Sequence, residues 1–193
     1  VQTGHKVKTL IDSRAELNLQ GLSVIRLAPQ TTINIEKLYE ENKADGKQES
    51  SIGLEGGDLW ASVDKLDASS KFNINTKVAG TAIRGTTLRM STDSSGETDV
   101  KVYKAEVAVT NSPGNPNVPA QGIKEEVSGP QEVTGPAEVS MEEWTYIVKE
   151  MQKIHISKQG QVTWAKKFKK DDKDEQTDWV KWNEKRDAAL KKK

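Results

Sequence analysis

Over the first 110 residues, apolar positions alternate with polar ones in short runs broken by turn residues. Leu17 and Leu19 alternate in AELNLQ, Ile25 and Leu27 in VIRLAP, and Ile33 and Ile35 in TINI. Ile52 and Leu54 come next, then Leu59, Ala61 and Val63 after a predicted turn at Gly56-Gly57-Asp58, then Phe72 and Ile74. Leu88 and Met90 are joined through a predicted turn, Asp93-Ser94-Ser95-Gly96, to Val100 and Val102, and Val107 and Val109 close the set. A period of two puts successive side chains on opposite faces of a strand, so each run reads as a half-buried strand. Many such runs at short spacing, with no helical pattern between them, predict an all-β domain over residues 1–110. Sandwich, barrel and short solenoid all satisfy this periodicity. The polar interruption from Glu36 to Ser50 is predicted as an insertion loop with one helical turn around Leu38.

The pattern changes after Thr110. SPGNPNVP opens a proline-broken linker, and the run EEVSGPQEVTGPAEVS then repeats Glu-Val-Ser/Thr-Gly-Pro with Val127, Val133 and Val139 six residues apart. Proline at that spacing blocks helix, so residues 111–139 are predicted as an extended Pro/Gly ribbon. Such a ribbon packs lightly on its own domain or offers a strand to a partner's sheet edge. Residues 140–193 read as a small α+β region of helix, hairpin and helix. Ser140 and Glu143 have the spacing of a capping box, and Trp144, Ile147, Val148 and Met151 then fall at helical spacing. Ile154 and Ile156, a turn at Gly160, and Val162 and Trp164 predict the hairpin. Thr177 is placed to cap a last helix carrying Trp179, Trp182, Arg186 and Leu190.

Arg84-Gly85-Thr86 sits at the centre of the stretch Lys71 to Arg89, between two alternating flanks. A guanidinium satisfies several carbonyls at once, so the tripeptide is predicted to be a structural corner with Arg84 buried. The competing use is recognition of a ligand carboxylate.

Composition narrows the function classes. Lysine plus arginine and aspartate plus glutamate are equal at 29 each in 193 residues, so no global field draws the chain to nucleic acid. The local excess at Lys166, Lys167, Lys169 and Lys170 is interleaved with acids and reads as a solvated flank. There is no cysteine, and His5 and His155 are the only histidines, which leaves no zinc-ligand spacing. Asp171 to Glu175 lacks the glycine of a calcium loop. No nucleophile elbow, phosphate loop or dinucleotide fingerprint occurs, so neither a cofactor nor catalysis is expected. No run reaches a membrane-spanning length. Val1 is not an initiator methionine, and a processed or cropped N-terminus is expected.

Residues Ser13 to Val109 resemble a FecR domain, the module named after the bacterial ferric-citrate regulator. The resemblance rests on Ser13-Arg14-Ala15-Glu16-Leu17, Ile25-Arg26-Leu27-Ala28-Pro29, Gly57-Asp58-Leu59-Trp60 and the run from Thr76 to Thr86. Where the family usually carries a glycine before the last Val-x-Val, this chain has Ala105. The tail pairs Trp182-Asn183 and Arg186-Asp187 are similar to those in some FecR-domain proteins. The resemblance implies a β-rich, solenoid-like fold, a periplasmic or extracellular setting and a non-enzymatic role. The function expected from it is a protein-interaction module, with Val127, Val133, Val139, Trp144, Trp164, Trp179 and Trp182 as candidate contacts to a protein partner or a second copy. The alternative is a structural subunit of a surface assembly. Carbohydrate binding through the tryptophans is a third reading.

Overall fold

The computed structural model describes residues 1–19, 23–41, 48–63, 70–111 and 144–190. The predicted ribbon beyond Asn111, with Val127, Val133 and Val139, and the capping box at Ser140 lie outside the described residues. Among the described residues ten strands precede Asn111: β1 (Lys6–Lys8), β2 (Ala15–Leu19), β3 (Ser23–Leu27), β4 (Thr32–Glu41), β5 (Gln48–Val63), β6 (Ser70–Asn75), β7 (Gly80–Ile83), β8 (Thr87–Thr92), β9 (Thr98–Lys104) and β10 (Glu106–Thr110). Three more follow, β11 (Thr145–Lys149), β12 (Gln152–Ile156) and β13 (Val162–Lys167), and then a 3-10 turn (Lys173–Glu175) and helix α1 (Asp178–Leu190). The chain is mainly β, and its strands form one curled sheet.

Strand β5 is the pivot. Its first half pairs with β4 and, in parallel, with β6, within the order β1-β4-β5-β6-β7-β10-β11. Its second half pairs with β3 and β8, within the order β2-β3-β5-β8-β9-β12-β13. Both halves face one core, to which β5 contributes Ile52 and Leu54 and then Leu59, Ala61 and Val63. The inward phase shifts from even to odd numbers across Gly56-Gly57, where the pairing with β4 also slips. The predicted turn there is thus corrected: the glycines let one continuous strand change partners and reverse the face it buries. Gly57 has φ +98, and a Cβ on it would lie 2.6 Å from the Thr31 Cα.

Two further expectations are overturned. In its described part the Glu36–Ser50 segment has no helical turn around Leu38: β4 runs to Glu41 and β5 starts at Gln48, and the two pair, while residues 42–47 lie outside the described residues. Register shifts after Ile35 and Lys37, and Tyr39 at φ +57, scramble the alternation that would have marked the strand. Leu38 packs on the core and Lys37 bonds Glu49 at 2.9 Å. The predicted helix from Ser140 through Met151 is, in its described part, strand β11, antiparallel to β10. Trp144, Tyr146 and Val148 meet the core at a period of two, and Thr-Tyr-Ile-Val is a β-favouring run. β12 likewise pairs with β9, so the C-terminal strands share the core of the first ten: Val148, Ile154 and Ile156 are fully buried in it.

Ala105, where the resemblance leads one to expect a glycine, has φ +63 between β9 and β10. A left-handed conformation costs a residue with a Cβ about 1–2 kcal/mol, part of which glycine gives back through its freer unfolded chain. Ala105→Gly is therefore expected to raise unfolding stability by about 0.5–1 kcal/mol in a urea titration. A loss of stability would show that the left-handed conformation is not held in solution.

Candidate functional site

The second half of the sheet has an outward face built from the residues between core positions. Arg26 lies between Ile25 and Leu27, Trp60 between Leu59 and Ala61, Arg89 between Leu88 and Met90, and Lys101 between Val100 and Val102. Strand register aligns them: Glu16 opposes Arg26, Arg26 opposes Trp60, Trp60 opposes Arg89, Arg89 opposes Lys101, Lys101 opposes Lys153 and Lys153 opposes Lys166. Like charges directly opposite on a sheet repel, so such a cationic row needs counter-charges.

The C-terminal segment supplies most of them. Arg26 is fully buried, with Nε donating to Glu16 at 2.7 Å and one terminal nitrogen donating to Asp187 at 2.6 Å. The other oxygen of Asp187 accepts the Trp60 indole N–H at 3.0 Å. Arg89 donates in two prongs to Asp58, which also accepts the Trp179 N–H at 3.1 Å. Burial alone would lower the Arg89 pKa, but the bonds to Asp58 outweigh it and the net direction is up. Lys101 donates to Glu175 at 2.8 Å, and the second oxygen of Glu175 accepts the Tyr103 hydroxyl at 2.7 Å. Burial, and then that hydrogen bond, push the Tyr103 phenol up. Trp60, Trp179, Val180 and Ala28 form a second apolar cluster under α1, and Arg14 stacks over Trp182 at 5.2 Å.

At the far end of the row this cover thins. Lys153 has one ion pair among the described residues, a long one to Asp174 at 3.8 Å, and Lys166 lies 4.4 Å above the ring of Trp164 without an ion pair among those residues. Trp164 is 37% exposed and stacks on His155, whose Nδ1 is 3.0 Å from Asp99. A cleft of about 410 Å³ opens here, lined by Arg89, Lys101, Lys153 and Lys166 and by Trp164, Asp99 and Asp174. Its chemistry is that of anion recognition beside an exposed aromatic face.

Residues 5–108, just over half of the 193, match the model of the family described as FecR protein. The chain belongs to the FecR family. Two crystal structures of a protein titled "putative anti-sigma factor from Parabacteroides distasonis ATCC 8503", at 1.65 and 2.50 Å, share the fold of this FecR chain. Each has a TM-score of 0.57 at 12% identity, over 84% of this chain and 59% of that one, so this chain spans less than two thirds of that protein's length. No curated protein matches the chain.

The FecR motif residues take structural places, with one correction. Arg84 is exposed, not buried, and makes no side-chain hydrogen bond among the described residues. Gly85 turns the chain at φ +72, and Thr86 is buried with its hydroxyl donating to the Glu106 carbonyl at 2.8 Å. The buried arginine of this FecR chain is Arg26. Of the candidate tryptophans, Trp144 is half-buried and donates to the Gly160 carbonyl at 2.8 Å, while Trp179 and Trp182 dock on the sheet of the same chain. Trp164 alone of the four is exposed. The sequence reading missed Arg26, Trp60, Arg89, Lys101 and Lys153. For the first four the signal available was a long polar or aromatic residue centred in an apolar pair; Lys153, between Gln152 and Ile154, carries no such signal.

Proposed function

We propose that this chain is a non-enzymatic, extracytoplasmic regulatory module of the FecR type that works by binding another protein. The observation that carries the reading is the family match over residues 5–108, which spans the curled sheet up to β10. The anti-sigma title of the structural neighbour supports a regulatory role by fold alone. The polar groups outside the core fit this use: they are spent on ion pairs that lock α1 to the sheet. Among the described residues no group of histidine and carboxylate side chains is placed to hold a metal, and no helix is long and apolar enough to cross a membrane. Val127, Val133 and Val139 stay in this proposal as contacts of the ribbon, with Trp164 as the exposed aromatic contact.

The test is to cross-link the tagged chain in the envelope of producing cells and to fractionate them. The expected result is envelope fractionation and one stoichiometric protein partner that also captures the chain when the tag is moved to the partner. Recovery in the cytosol, or as an uncross-linked monomer, would overturn the reading. Concentration-dependent polymers of the chain alone would favour the structural-subunit function instead.

A further inference from the structure

We propose that the free edge of β13 is a docking strand for an extended protein segment carrying an acidic residue and, two positions away, an aromatic one. This rests on the protein-binding reading above and names where the partner sits. Among the described residues β13 has β12 as its only strand partner, and all six of its residues are exposed. An unpaired edge of this kind accepts another strand unless something guards it. Lys166 and Lys167 guard it against basic strands, because a like charge set directly opposite them repels.

The row itself indicates what the edge accepts. At its other end, the edge strand β2 places Glu16 directly opposite Arg26, and the row ends in an ion pair. At this end it stops on Lys166, which lies opposite another cation, Lys153, and over the ring of Trp164, with no ion pair among the described residues. A strand added to β13 puts one side chain beside Lys166 and, because strand side chains repeat every second residue, another beside Trp164. An aspartate or glutamate at the first position does for Lys166 what Glu16 does for Arg26. A flat ring at the second position covers the exposed face of Trp164. The partner's carboxylate lies at the rim of the cleft beside Lys166, the cation there with no ion pair among the described residues, while Arg89 and Lys101 are already paired with Asp58 and Glu175 and Lys153 is 3.8 Å from the exposed Asp174.

The experiment uses the full chain and a fluorescein-labelled decapeptide of β-favouring residues with glutamate and tryptophan two positions apart. Saturable binding is expected by fluorescence anisotropy, and Lys166→Glu should weaken it at least about tenfold, since like charges at an interface repel strongly. Trp164→Ala should weaken it as well, and both residues are exposed, so the variants should melt like the parent. Replacing the peptide's glutamate by lysine should abolish binding to the parent and restore it to Lys166→Glu. A peptide with proline at the central position should not bind, because proline cannot pair. The proposal is overturned if the proline peptide binds equally, or if inorganic phosphate competes at matched charge, which would mark a small-anion pocket. It also falls if Lys166→Glu has no effect. A native partner still captured by Lys166→Glu/Trp164→Ala would reject this edge while leaving the binding-module reading intact.

Discussion

Asp187→Ala is expected to destabilise the chain by about 4 kcal/mol, the range for breaking a buried ion pair and orphaning a buried donor. For a chain of this size that corresponds to a fall in Tm of about 10 °C. Asp187 is the one group that touches both the fully buried Arg26, at 2.6 Å, and the Trp60 indole, at 3.0 Å. Without it, Arg26 keeps Glu16, but the buried nitrogen that donated to Asp187 falls back on the neutral Asn183 amide oxygen at 3.4 Å. Another of its terminal nitrogens is already buried without a partner. The Trp60 N–H loses its acceptor as well. The helix carrying Asp187 should then detach more easily, exposing Trp179 and Val180. Arg26→Met is the control: the double variant Arg26→Met/Asp187→Ala should lose much less than the sum of the two, because removing both charges leaves no buried charge without its counter-charge and only the Trp60 N–H without an acceptor. Thermal melts of the four proteins check this. A loss under about 1 kcal/mol for Asp187→Ala, as for an exposed pair, would mean that α1 does not clamp the sheet.

Gly57→Ala should cost about 2–5 kcal/mol, combining a strained positive φ with overpacking. The added Cβ would lie 2.6 Å from the Thr31 Cα and 2.5 Å from its hydroxyl, and a backbone atom cannot swing aside. Thr31 is fully buried, and its hydroxyl accepts the Asp58 N–H at 3.0 Å. Relief of the clash therefore moves Asp58, which holds both Arg89 and Trp179. The adjacent Gly56 has open space around its Cβ position, so Gly56→Ala should cost about 1 kcal/mol or less. Urea titrations of the two variants make the comparison, and equal losses would refute the pivot at Gly57.

Both predictions concern features that stabilise the same outward face. The counter-charges that neutralise Arg26, Arg89 and Lys101 also fix α1 and the 3-10 turn beside the cleft. Loss of the clamp should accordingly disturb the cleft wall at Asp174, while Lys166 and Trp164 on β13 stay in place through β12.

The sequence alone determined the strands that keep strict alternation and the turns whose residue chemistry is local. Asp93 caps its turn by accepting the Ser95 and Glu97 N–H groups at 2.9 and 3.0 Å, and Gly160 closes the last hairpin at φ +74. Thr177 caps α1, and the family motif was readable in Thr76 to Thr86. The sequence failed where two periods overlap. Trp144, Ile147, Val148 and Met151 fit a helix, while Trp144, Tyr146 and Val148 fit a strand, and only the open side of β10 decided between them. It failed again on the arginines, since the charged centre of a short motif looks the same whether solvent or a helix covers it. Arg84 lies on an open turn, whereas Arg26 meets Asp187 across 161 positions of chain. Alternation says which face a residue takes, but not which strand lies beside it. The cationic row, its acidic cover and its open end come from register between distant strands, which is set when the whole core closes rather than by any local pattern.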